Sequence, residues 1–64
     1  MNKTQLHKAI SNALSNLSRT NAALYAYWLS ELYTPDGDLA RDKWNEDTLD
    51  LMETDVMMQL TYFS

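Results

Sequence analysis

Apolar residues in the first half of the chain fall at Leu6, Ile10, Ala13, Leu17, Leu24, Trp28 and Leu32. That spacing puts all seven on one side of a helix. The pattern culminates in Asn21 to Tyr33, which holds one of the two tryptophans and three of the four tyrosines. The segment contains no glycine or proline and one charge, Glu31. Thr4 can cap the start of the helix. The gap between Leu17 and Leu24 brings Thr20 and Asn21 to the inner side, and both are poor helix formers and good caps. Two readings follow. A single helix runs from about Thr4 to Tyr33, or a first helix ends near Leu17 and a second starts at a Ser18 or Thr20 cap. The phase is kept across the gap and no breaker interrupts it, which favours the single helix.

Thr34-Pro35-Asp36-Gly37 is the clearest punctuation. Proline disfavours helix at Thr34, and Gly37, the only glycine, can take a positive φ. The chain must reverse over residues 34–38, and a short connection favours antiparallel neighbours. Asp38 offers a cap for a returning helix over about 39–62. Asn45 to Thr48 can re-cap that helix or be passed through. Its main stripe is Leu49, Met52, Val56, Leu60 and Phe63, and a second stripe of Trp44, Leu51, Met58 and Tyr62 lies on another face. The pattern therefore predicts an all-α fold. It is an antiparallel helical hairpin of two long helices, either one open to a break, in a single domain over 1–64.

Length adds a further expectation. A 64-residue chain buries only about 60% of the surface its unfolded form exposes, and this one has no cysteine for disulfides or thiolate metal sites. Self-association is the economical remaining support, so the hairpin is expected to pair into a dimeric helical bundle. The aromatic girth of Leu24 to Tyr33 points the same way, since one neighbouring helix cannot cover it. Tyr25, Trp28, Leu29 and Tyr33, with Trp44, Leu51, Met58 and Tyr62 of the second stripe, are the expected protein-interaction residues.

Charge is divided along the chain. Residues 1–30 carry Lys3, Lys8 and Arg19 and no acid, a charge of +3, while residues 31–64 carry nine acids against Arg41 and Lys43, a charge of −7. The net of −4 argues against direct binding to a nucleic-acid backbone. It permits binding to a basic protein surface. Asp42, Glu46, Asp50 and Glu53 form an acidic face on the returning helix. No run approaches a membrane span and the first residues lack a continuous apolar core of a signal peptide, so a cytoplasmic location is expected.

Candidate chemistry is thin. Asp36-Gly37-Asp38 starts like a calcium loop, but Arg41 stands where the loop needs glycine. The acidic face lacks the Glu-x-x-His pairs of a carboxylate metal bundle. His7, the only histidine, has no evident nucleophile or acid beside it and reads as a surface residue. Met52, Met57 and Met58 read as adaptable packing. No enzyme, metal or cofactor is expected. The pattern points to a small regulator or adaptor that works through protein contacts. The alternative is an inhibitor of the mobile-element type, whose acidic face occupies a nucleic-acid-binding surface of its target.

Overall fold

The computed structural model describes residues 2–63, with side chains described through Thr61. Three α-helices pack together: α1 (Lys3–Thr20), α2 (Ala22–Leu32) and α3 (Glu46–Phe63). The start of α1 is set by Asn2, two residues ahead of the expected Thr4. Its Oδ1 accepts from Gln5 N at 2.8 Å, and its own N–H donates to Gln5 Oε1 at 3.3 Å. This reciprocal pair is a capping box and satisfies two amides that a helix start otherwise leaves open.

The expected single helix over about 4–33 is broken at one residue, Asn21. Its backbone is extended, with φ −154° and ψ 96°. Its N–H still donates to Leu17 O at 2.8 Å, which closes α1. Its side-chain oxygen accepts from Ala23 N at 3.1 Å and Leu24 N at 3.2 Å, which opens α2. One short amide side chain thus ends one helix and starts the next. The residues expected to cap α2 act otherwise. Ser18 and Thr20 hydroxyls donate back to the carbonyls of Ser15 and Asn16.

The break sets the topology. Asn21 Nδ2 donates to Gln59 Oε1 at 3.3 Å, so the α1–α2 bend sits beside the late turns of α3. At the other end, the ring of Trp44 contacts His7 of early α1 and Tyr33 just past α2. Therefore α1 and α3 run in the same direction and α2 runs against both. The chain reverses at Asn21 and again after α2, so the two-helix hairpin becomes a three-helix arrangement. Its core is Ile10, Ala13, Leu14 and Leu17 of α1, Trp28 and Leu32 of α2, Trp44, and Leu49 and Met52 of α3.

The second connection is tighter and longer than a simple turn. Tyr33 and Leu39 form an isolated antiparallel bridge. Thr34 N donates to Asp38 O at 2.8 Å, and Ala40 N donates to Leu32 O at 2.9 Å. Asp38 does not start a helix. A 3₁₀ turn over Arg41–Lys43 follows instead, and Asn45 caps α3 by accepting from Thr48 N at 2.8 Å. The helix expected over about 39–62 thus begins at Glu46, the re-capped alternative. Lys43 Nζ lies 3.7 Å from Glu31 Oε2, a half-exposed ion pair of small weight.

Gly37 holds φ +92°, and a Cβ built there would meet nothing within 4 Å. The penalty of a side chain is then conformational alone. Gly37→Ala is expected to lower stability by about 1 kcal/mol, from the left-handed backbone that L-residues disfavour. Urea melts followed by circular dichroism would measure it. An unchanged midpoint would show that the turn relaxes to a negative φ without loss.

Candidate protein-interaction surface

Both tryptophans belong to the interior. Trp28 is buried, and its indole Nε1 donates to Asp55 Oδ2 of α3 at 2.8 Å. Its ring meets Tyr27 edge-on at 5.1 Å. Trp44 is also buried, and its Nε1 donates to Leu32 O at 2.8 Å. That carbonyl also accepts from Ala40 N, so both of its lone pairs are used. Trp44 is therefore not part of an exposed stripe on α3, as its helical phase suggested. It precedes α3, and the non-helical Asn45 turns its ring inward. His7 is half-buried with its ring centroid 4.7 Å from that of Trp44, so it is not the free surface histidine expected. Tyr33 meets the same indole edge-on at 5.9 Å.

The other expected contact residues divide. Tyr25, Leu29 and Tyr33 are half-buried and pack on the core. Their outer edges line shallow surface depressions: Tyr25 beside Ser11, Ser15 and Ser18, and Leu29 and Tyr33 beside Ala26 and Pro35. Leu51 is 59% exposed and Met58 49% exposed. Packing against α1 and α2 leaves their face of α3 uncovered. Tyr62, the last member of that stripe, has its side chain outside the described residues.

The acidic face expected on one helix is divided between α3 and the turn before it. Glu46, Asp50 and Glu53 are exposed on one side of α3, and Asp42 is exposed on the 3₁₀ turn. Asp55 leaves the acidic surface to accept from Trp28. Among the described residues no three metal-ligating side chains come together, and no helix is long and apolar enough to cross a membrane.

One feature escaped the sequence reading. Met57 is 67% exposed and Leu60 57% exposed, although Leu60 belongs to the stripe expected to face the core. The bend at Asn21 lies beside Gln59, so α1 ends at this level and little covers Leu60. Both residues, with Val56 and Glu53, form one wall of an open groove of about 360 Å³. Ala9, Asn12, Ala13 and Asn16 of α1 form the other wall. A second open hollow, between Thr54, Met57, Met58 and Thr61, shares Met57 with this groove. The only sequence signal for the groove was a pair of alanines on α1 at the edge of its stripe, opposite large residues on α3.

Comparison with protein-family models, with curated proteins and with solved structures finds no match to this chain.

Proposed function

We propose that this protein is a small protein-interaction module, a regulator or adaptor, and that it meets its partner on the outer face of α3. The observation that carries this reading is the exposure of Leu51 and Met58 on a helix whose other face is already engaged by the core. Methionine and leucine side chains held at a helix surface supply adaptable apolar contact. Nothing in the packing of a chain this small requires them to be apolar.

A second reading has its own support. Glu46, Asp50 and Glu53 stand in line on α3, exposed, with Asp42 before them. Such a face suits an inhibitor that occupies a basic, nucleic-acid-binding surface. Salt separates the two readings. Binding by the apolar face changes little with ionic strength, whereas binding by the acidic face weakens steeply and competes with nucleic acid.

The test is affinity capture from the native host with the wild type and two variants, identified by mass spectrometry. Leu51→Ser with Met58→Ser is expected to lose the captured protein while helix content stays the same. Asp42→Asn, Glu46→Gln and Asp50→Asn together are expected to retain it. The reverse pattern, with capture lost at moderate salt, would establish the acidic face as the binding surface.

A further inference from the structure

The groove between α1 and α3 is a second surface, distinct from the Leu51 and Met58 face. Its two walls differ in two ways. The α1 wall is small: Ala9 and Ala13 leave a hollow. The α3 wall is large: Met57 and Leu60 project into solvent. Charge divides along the same line. α1 carries Lys3, Lys8 and Arg19 and no acid, while α3 carries five acids and no base. Among the described residues, no cation pairs with the Asp50 or Glu53 carboxylate.

We propose that a second copy of this chain closes the groove, with the two-fold axis running along it. The axis is chosen by the structure. Because α1 and α3 run in the same direction, a two-fold along the groove lays α1 of each copy on α3 of the other, in parallel. The α3 wall of one copy, with Met57 and Leu60, then faces the α1 wall of the other, with Ala9 and Ala13. α1 of one copy, which carries Lys8, then lies on α3 of its partner, which carries Asp50 and Glu53. A two-fold across the groove would instead set α3 against α3, acid facing acid. Charge complementarity therefore selects the first arrangement and disfavours the second. The contact is made twice by symmetry, so each favourable pair counts twice.

This inference rests on reading the chain as an interaction module, and it places self-association and partner binding on different faces. Sedimentation equilibrium of the full chain tests it, from micromolar to hundreds of micromolar at low salt. The wild type is expected to reach twice the 7.4 kDa chain mass. Met57→Glu with Leu60→Glu is expected to weaken dimerisation at least about tenfold. Lys8→Glu and Glu53→Lys, both at exposed sites that leave the core intact, are each expected to weaken it severalfold. The double variant Lys8→Glu/Glu53→Lys is expected to recover the wild-type constant, as α1 of one copy lying on α3 of the other requires. Leu51→Ser with Met58→Ser is expected to leave the dimer unchanged, whatever it does to partner capture. A wild type that stays monomeric throughout overturns the proposal. So does a dimer that persists in the groove variants and vanishes in the Leu51 and Met58 variant. Failure of the charge swap to recover association overturns the assignment of the axis.

Discussion

Trp28→Ala is expected to lower stability by about 3 to 5 kcal/mol, enough to unfold much of the population of a domain this small. The ring sits between α2 and the core formed by Ile10, Leu17 and Met52, and is itself buried. Removing it opens a cavity that three short helices cannot collapse without moving α2. It also removes the 2.8 Å hydrogen bond from Nε1 to Asp55, one of two side-chain hydrogen bonds described between α2 or its cap and α3. Trp28→Phe separates the two contributions. It retains most of the apolar volume and loses the donor, so a loss nearer 1 to 2 kcal/mol is expected, from the hydrogen bond and the smaller ring. Urea denaturation of both variants, followed by circular dichroism, measures the difference. A loss below about 1 kcal/mol for Trp28→Ala would mean that the ring is dispensable to the fold and serves as a contact residue instead.

Trp28 is also the best example of what the pattern could reveal. It stands in a run of positions at helical spacing, and Ile10, Leu17, Leu32, Leu49 and Met52 are buried for the same reason. Helical period and apolar identity are local properties, and the all-α character and most of the core follow from them. The Thr34 to Gly37 reversal was equally legible, because proline and a lone glycine act through their own backbone. The failures share a different cause. Trp44 was assigned by projecting the period of α3 backward across Asn45, where the backbone is not helical. A phase argument holds only inside one continuous helix. The place of His7 against Trp44 depends on two elements 37 positions apart meeting at one end of the bundle, and nothing near either residue encodes it. The exposure of Leu60 depends on where α1 stops, which in turn depends on Asn21. The groove followed from that same bend and could not be read before it.

The bend itself was the hardest feature, because the stripe keeps its phase through it. That coincidence makes Asn21 the position where a single substitution is expected to redirect the topology. Asn21→Ala removes the side-chain oxygen that accepts from Ala23 and Leu24, and the amide that donates to Gln59. Loss of the cap destabilises the bent form by about 1 to 2 kcal/mol. Alanine at the same position favours a helix that runs straight from α1 into α2, with Leu6 to Leu32 still on one side. The straight form loses the packing of α2 on α1 within one chain and regains it by exchanging α2 with a second chain. Spin labels at Thr4→Cys and Ser30→Cys report the choice directly, since the chain has no other cysteine. In the bent form both labels sit at the same end of the bundle, near Trp44. In a straight helix, 26 residues of rise separate them by about 39 Å. With native Asn21 a single short distance is expected. With Asn21→Ala a second population near the long distance should appear and grow with protein concentration. A distance distribution that stays short at every concentration would show that the packing of α2 on α1, rather than the Asn21 caps, bends the chain.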